Sequence, residues 1–270
     1  DHRDLHSFPT RRSSDLLGAN LVDRVYGNPG MFSSLETLAA VLAYGAQIYL
    51  DFSGYSDIAI GSASLLGYRV PDNFRRPYLS LSITDFWRRW HISLGSWFRD
   101  YLYISIGGNR RRVYLNLLVT MGLCGLWHGS GLNFAVWGLY HGLFLALERA
   151  VGLNRRPSRR WMRTLRTALT LAVVLFGWII FRVDSWDTFA GIMGSLASLT
   201  AHTPNLDFLM IAVILFIYAI HFTPPRWKRE VLRLWRITPT PLQGIIAAAV
   251  TVGLFNIAVA GVRPFIYLRF

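Results

Sequence analysis

Two apolar stretches with a glycine-rich break between them decide the fold class: Tyr114–Leu126 (YLNLLVTMGLCGL) and Phe134–Leu147 (FAVWGLYHGLFLAL). At about 1.5 Å per helical residue the first stretch covers roughly 20 Å, less than the ~30 Å hydrocarbon core of a bilayer. The break, Trp127–Asn133 (WHGSGLN), is polar. At membrane depth such a break is tolerated only where protein or a water-filled cavity surrounds it. The pattern predicts a broken or re-entrant membrane helix that ends near His128.

The composition of the whole chain is typical of a membrane protein. Hydrophobic residues make up 53% of the sequence, and the mean hydropathy is +0.33, which is too apolar for an ordinary soluble domain. Further spans are predicted at Leu165–Phe181, Leu206–Ile220 and Leu242–Ala260. We therefore predict an all-α, polytopic transmembrane protein that is surrounded by membrane lipid.

The net charge of +13 comes largely from arginine-rich segments between the apolar runs. Segments 110–112, 149–166 and 226–236 are interpreted as basic loops, and they alternate with the less basic loops 127–133 and 183–205. The positive-inside rule then places the basic loops in the cytoplasm and the C-terminus outside. Because this charge lies beside apolar runs, anionic lipid explains it, and no nucleic-acid partner is expected.

The first sixteen residues are expected to differ in origin from the rest. They read DHRDLHSFPTRRSSDL, which resembles the in-frame translation of a common sequencing adapter. We therefore expect residues 1–16 to be non-native, and we exclude them from the reasoning on fold.

A second polar segment, Ser82–Arg99, is predicted to be one helix with Ser82 or Thr84 as its N-cap and Asp85 in its first turn. On a continuous helix Arg88, His91, Gly95 and Arg99 would share one face, with Trp87 on a neighbouring apolar face. A helix this polar is predicted to lie at the membrane interface or to line a cavity within the protein.

Two histidines are the candidate catalytic residues, because ionisable groups at membrane depth are costly and usually mark a site. His128, with Trp127 beside it, is proposed as a general base that Asn133 orients, since a neutral imidazole in an apolar site keeps its lone pair available. The alternative is a single histidine bonded to a carbonyl near a helix end.

His91 lies among arginines that could bind a phosphate or carboxylate, namely Arg88, Arg89 and Arg99. The alternative for His91 is a support for the wall of a cavity. His141 is predicted to have a packing or supporting role. His202 and His221, at the edges of predicted spans, are interpreted as interface residues.

Three carboxylates could in principle form a metal cluster: Asp51, Asp57 and Asp85. The spacing of Asp51 and Asp57 matches no known ligand pattern, and no His-x-x-x-His or cysteine pair accompanies them. They are therefore interpreted as helix caps or as partners of Arg88 or Arg99, and neither a metal nor a bound cofactor is expected.

Taken together, these motifs resemble the membrane-bound O-acyltransferase family, in particular its bacterial polysaccharide O-acetyltransferases. The segments that carry the resemblance are Tyr49–Gly61, Pro71–Phe74, Phe86–Leu94, Trp97–Ile104, Gly107–Arg110, Gly125–Gly129, Trp137–Gly142 and Pro264–Phe270. The resemblance implies that 17–270 is the C-terminal part of a single transmembrane domain, with broken helices around a membrane tunnel. It also implies that His128 is the catalytic histidine and that His91 is a second functional residue in the tunnel.

The resemblance further implies an O-acyltransferase of the bacterial inner membrane. It would transfer an acetyl group from a cytoplasmic thioester, either acetyl-CoA or an acylated carrier, toward an exopolysaccharide such as alginate. Periplasmic polysaccharide-acetylation proteins would be its partners. One alternative is D-alanyl transfer toward teichoic acid. Another is a channel or transporter, although the inverted repeat that is common in transporters is not found in the sequence.

Overall fold

The computed structural model describes residues 21–153 and 157–258, and all regular secondary structure in these ranges is helical, with no β-strand. The adapter-like segment 1–16 and the motif Pro264–Phe270 lie outside the described residues. The longer elements are α1 (Asp23–Gly27), α2 (Ser34–Leu65), α3 (Ile83–Trp87), α4 (Ile92–Trp97), a π-helix (Phe98–Tyr103), α5 (Val113–His128), α6 (Leu132–Val151), α7 (Arg160–Arg182), α8 (Trp186–Ala197), α9 (Phe208–Phe222), α10 (Pro225–Ile237) and α11 (Thr240–Ala258).

Within these ranges, only α7 is long and apolar enough to cross a membrane by itself. Three apolar helical segments are shorter: α5, α9 and Thr240–Ala249 of α11. Helix α5 has 16 residues, which corresponds to roughly 24 Å. It is longer than the apolar stretch read from the sequence but still shorter than the ~30 Å core.

Helix α2 begins at a capping box. The Ser33 hydroxyl accepts the N–H of Glu36, and the Glu36 carboxylate accepts the N–H of Ser33, so two backbone donors at the helix end are satisfied. The helix then runs for 32 residues without interruption. Asp51 and Asp57 lie in its interior, so their interpretation as helix caps is wrong. No proline interrupts this stretch, and its three interior glycines, Gly45, Gly54 and Gly61, each cost only about 1 kcal/mol relative to alanine, too little to end the helix.

Helices α5 and α6 form a hairpin whose turn consists of only Gly129, Ser130 and Gly131. The predicted break is therefore confirmed, and it is narrower than the pattern indicated. Close contact between the two helices requires glycine, because a Cβ atom on Gly125 would lie 2.1 Å from the carbonyl oxygen of Phe134. A Cβ atom on Gly138 would lie 2.1 Å from the carbonyl oxygen of Met121. Small residues allow such backbone contact between membrane helices.

Helix α9 is tied to the rest of the protein by His221. This side chain is buried and accepts the backbone N–H of Tyr78 at 3.2 Å. The Arg76 guanidinium donates to the carbonyl oxygens of His221, at 2.8 Å, and of Thr223. The interpretation of His221 as an interface residue is therefore wrong: it anchors the loop before α3 to the end of α9. The side chain of His202 is exposed.

The basic segment 226–236 is not a loop. It forms α10, an amphipathic helix whose arginines gather on one side, and its described side chains are exposed. Segment 149–166 is likewise largely helical, because Arg149 belongs to α6 and residues from Arg160 onward belong to α7.

Alanine at either contact glycine is expected to destabilise the protein. Gly125→Ala and Gly138→Ala each place a methyl group against backbone of the facing helix, and such overpacking costs about 1–3 kcal/mol. The temperature of thermal aggregation in detergent, together with abundance in the membrane, measures the effect. Gly194→Ala in α8 is the control, since a Cβ atom there meets nothing within 4 Å. Equal stability of all three variants would contradict the assigned helix contact.

Candidate active site

His128 is the last residue of α5 and is 8% exposed. Aromatic rings surround its imidazole edge-to-face: Trp127 at 5.0 Å, Trp137 at 5.3 Å and Phe181 at 5.3 Å between ring centroids. Trp137 belongs to α6 and Phe181 to α7, so three helices meet around this histidine. The glycine contact between α5 and α6 sets this arrangement, because Gly138 directly follows Trp137.

His91 lies in a break between two short helices, and the predicted continuous helix Ser82–Arg99 is wrong. Helix α3 ends at Trp87, α4 begins at Ile92, and His91 between them has left-handed backbone geometry (φ 43°, ψ 56°). The break has a nonlocal cause. The carbonyl of Arg89 accepts the N–H of Arg75 at 2.9 Å, and the N–H of Ile92 donates to the carbonyl of Asn73 at 3.0 Å. A preceding loop therefore takes the hydrogen bonds that a continuous helix would use.

The start of α3 is as predicted. Ser82 is the N-cap and accepts the N–H of Asp85 at 3.1 Å. The Asp85 carboxylate pairs with Arg89 at 2.9 Å, so its arginine partner is neither Arg88 nor Arg99.

The structure brings His91 and His128 to one indole. The centroid of Trp127 lies 6.3 Å from that of His91 and 5.0 Å from that of His128. Trp127 is 57% exposed, so the two imidazoles flank an open aromatic surface. Phe52 of α2 completes the wall beside His91, with its ring 4.6 Å away and perpendicular. Helix α2 thus contributes to the site next to Asp51, which is itself buried.

The two arginines predicted to support His91 do not lie where a continuous helix would place them. Because the helix is broken, Arg88, His91, Gly95 and Arg99 do not share one face. Arg88 is exposed. Arg99 forms a bidentate ion pair with its neighbour Asp100, with hydrogen bonds of 2.7 and 2.9 Å. The hydrogen bond from Arg99 holds the pKa of the Asp100 carboxyl below its usual value.

His141 is fully buried among aromatic rings, with Trp137 at 5.1 Å and Trp87 at 5.4 Å. Within the described part of the chain, neither of its ring nitrogens has a hydrogen-bond partner. A Cβ atom on Gly177 would lie 2.8 Å from its Nε2, so α7 passes directly against the ring. These contacts support the predicted packing role of His141 and place Trp87 in the same buried cluster.

Asn133 has a partner other than an imidazole. Its amide donates to the carbonyl oxygen of Phe181 at 3.2 Å, which ties the start of α6 to the end of α7. Orientation of His128 by Asn133 stays a prediction. In the described ranges, no three His, Cys, Asp or Glu side chains come together as a metal site would require.

Two important residues were not identified from the sequence as site residues. Asn73 was noted only as part of a motif, yet its Oδ1 atom lies 3.2 Å from Nδ1 of His91. Glu148 was not predicted to have a role. Its position directly after the apolar run Phe134–Leu147 could have indicated one, because a carboxylate there needs a polar partner. Its buried carboxylate accepts the N–H groups of Ile83 and Thr84 and the hydroxyl of Thr84, and so caps α3 from α6.

Comparison with known proteins decides the family. The sequence profile of the membrane-bound O-acyltransferase family matches residues 25–185, which include both histidines and their aromatic neighbours. The chain belongs to this family.

Three curated members of the family show how far the similarity extends. The chain is 47% identical over 187 residues to a probable alginate O-acetylase of Pseudomonas fluorescens, covering 66% of this chain and 37% of that protein. It is 54% identical over 147 residues to the probable alginate O-acetylase of Pseudomonas aeruginosa, covering 53% and 28%. A teichoic acid D-alanyltransferase of Bacillus subtilis is 33% identical over 162 residues, covering 54% and 41%. The chain thus spans 28–41% of the length of these relatives.

In this family member we expect Glu148 to fix the segment that leads to His91. Glu148→Ala leaves the N–H groups of Ile83 and Thr84 without their acceptor, and an unsatisfied buried group costs about 1–3 kcal/mol. Glu148→Gln keeps one carbonyl oxygen and should lose less. Thermal unfolding in detergent measures the difference.

Glu230→Ala is the matched control for this experiment, because the side chain of Glu230 is 62% exposed and pairs only loosely, at 3.6 Å, with Arg233. If Glu148→Ala were as stable as Glu230→Ala, the capping role of Glu148 would be refuted.

Proposed function

We propose that the protein is a membrane O-acyltransferase that moves an acetyl group from a cytoplasmic thioester to a hydroxyl, for O-acetylation of an exopolysaccharide such as alginate. Membership of the family and the names of the two alginate O-acetylases support the reaction. The observation that carries the assignment of the site is the position of His91 and His128 on either side of Trp127.

In the proposed reaction His128 acts as the general base. Its imidazole takes the proton from the acceptor hydroxyl as the oxygen attacks the thioester carbonyl carbon. A carbon–oxygen bond forms, the carbon–sulfur bond breaks, and the departing thiolate receives the proton from the imidazolium. Such proton transfer contributes typically about 10²–10⁴-fold to a rate. The aromatic rings around His128 keep it in an apolar environment, which favours the neutral base.

His91 is the second residue of the proposed site, and its role is to orient a substrate. The sequence suggested that Arg88 or Arg99 could bind a phosphate or carboxylate beside His91. Arg88 is exposed and Arg99 is bound to Asp100, so their contacts do not support this role. Burial lowers the pKa of His91, which lies outside the apolar helices, to about 4. A neutral imidazole orients a ligand by hydrogen bonding rather than by charge.

The proposed setting is a multi-pass protein of the bacterial inner membrane with a tunnel between its two sides. The donor is acetyl-CoA or an acylated carrier, bound from the cytoplasm without a metal or resident cofactor. The arginines just before α5, Arg149 at the end of α6 and the arginines at the start of α7 would face the cytoplasm. His128 lies at the opposite end of α5, roughly 24 Å away. Periplasmic polysaccharide-acetylation proteins would receive the acetyl group or present the polysaccharide.

D-alanyl transfer toward teichoic acid is the second candidate, because a D-alanyltransferase is among the relatives. Its identity to this chain, 33%, is lower than the 47% and 54% of the two alginate O-acetylases, so acetyl transfer is preferred.

Replacement of His128 tests the proposed chemistry. In cells that lack their own acetyltransferase, we expect the full-length protein to restore acetyl esters on the exopolysaccharide. His128→Ala at matched membrane abundance should lower ester content at least about a hundredfold, because the general base is lost. His202→Ala, which changes an exposed histidine, should restore esters as the wild type does.

Two results would count against the proposal. Wild-type acetylation by His128→Ala would show that His128 is structural. If the wild-type protein produces no acetyl ester but transfers D-alanine, the second candidate function is favoured instead.

A further inference from the structure

Asn73 holds the imidazole of His91 from one side. The Oδ1 atom of Asn73 lies 3.2 Å from Nδ1 of His91, 3.2 Å from the backbone nitrogen of Ser93 and 3.0 Å from the Ser93 hydroxyl. The backbone carbonyl of Asn73 also accepts the N–H of Ile92. One residue thus binds both the side chain of His91 and the backbone that follows it.

These contacts determine which nitrogen of His91 carries the hydrogen. A backbone N–H can only donate, so the Asn73 atom that faces Ser93 must be the carbonyl oxygen. The same oxygen faces Nδ1 of His91. An oxygen acceptor requires a donor, so in the neutral ring the hydrogen is on Nδ1 and the lone pair is on Nε2.

The second nitrogen is left for a ligand. Within the described residues, the side-chain hydrogen bonds of His91 involve Nδ1, and its ring packs against the rings of Phe52 and Trp127. His91 is half-buried, next to the exposed indole of Trp127. Nε2 is therefore the nitrogen that remains to accept a hydrogen bond from a ligand.

We propose that Asn73 is a positioning residue that fixes the Nδ1–H tautomer and the orientation of His91, so that Nε2 accepts a hydrogen bond from a substrate. This inference rests on the proposed function and extends it. The substrate group that meets His91 is a hydroxyl or an amide N–H, since a lone pair repels a developing anion. Catalytic triads use the same arrangement: a third residue accepts a hydrogen bond from one nitrogen of the histidine, and the other nitrogen meets the reacting group.

The left-handed backbone of His91 makes a specific test possible. Asparagine tolerates this conformation well, so His91→Asn removes the imidazole and keeps the turn. Asn73→Leu removes the acceptor at similar size, and Asn73→Asp keeps an acceptor oxygen. Asp72→Ala is the control in the same loop, because the side chain of Asp72 is 64% exposed and its ion pair with Arg75 is long, at 3.6 Å, and exposed.

The experiment is a double-mutant cycle on acyl transfer, at matched membrane abundance of the full-length protein. We expect Asn73→Leu to lower the rate about tenfold or more, because it removes the acceptor that orients the ring and holds Ser93. In the His91→Asn background the same change should have no further effect, because Asn73 acts through His91. Asn73→Asp should stay close to the wild-type rate, and Asp72→Ala should equal it.

The proposal is overturned if Asn73→Leu is as active as the wild type. It is also overturned if the double variant loses rate by the product of the two single-variant factors, because independent structural defects would combine in that way. A measurement that does not depend on acyl transfer distinguishes failure of this proposal from failure of the proposed function. Diethyl pyrocarbonate acylates unprotonated imidazole nitrogens, so it should modify His91 and spare the fully buried His141. Asn73→Leu, which frees the ring, should change the rate of modification at His91; an unchanged rate would refute the positioning role even in an inactive protein.

Discussion

The close contact of α5 and α6 at Gly125 and Gly138 is the constraint on which the site depends. At these positions backbone meets backbone, so the two helices approach more closely than any side chain would allow. The three-residue turn at their ends leaves His128 facing the other helices rather than solvent. Trp137 and Phe181 then surround the imidazole. Without the glycine contact, the aromatic enclosure of the histidine would open.

A second theme is the use of polar side chains to satisfy backbone groups of irregular segments. Glu148 caps α3 from a neighbouring helix, His221 accepts from the loop before α3, and Asn73 holds the turn at His91. A buried N–H or C=O without a partner costs free energy comparable to a lost hydrogen bond. These residues therefore make it possible for a short, kinked polar segment to lie inside an apolar protein.

The parts of the fold that local sequence determines were predictable, and the parts that distant residues determine were not. The break after His128 and the cap at Ser82 follow from glycines, apolar runs and capping chemistry within a few residues. The break at His91 does not, because its hydrogen bonds come from Asn73 and Arg75, which precede their partners by 19 and 14 residues. The capping carboxylate of Glu148 lies still farther away, 64 and 65 residues from its partners. Both candidate histidines were found because an imidazole in an apolar sequence is conspicuous.

The left-handed backbone at position 91 has an evolutionary consequence. Among residues with a side chain, only asparagine, aspartate and histidine occur in this conformation with appreciable enrichment, while glycine adopts it freely. The backbone therefore favours a few residue types at this position, although other types adopt left-handed geometry elsewhere in this chain, at Arg76, Arg112 and Leu199. The three enriched types all carry a hydrogen-bonding side chain. A change of substrate in descendants of this protein could exchange one such group for another without rebuilding the turn.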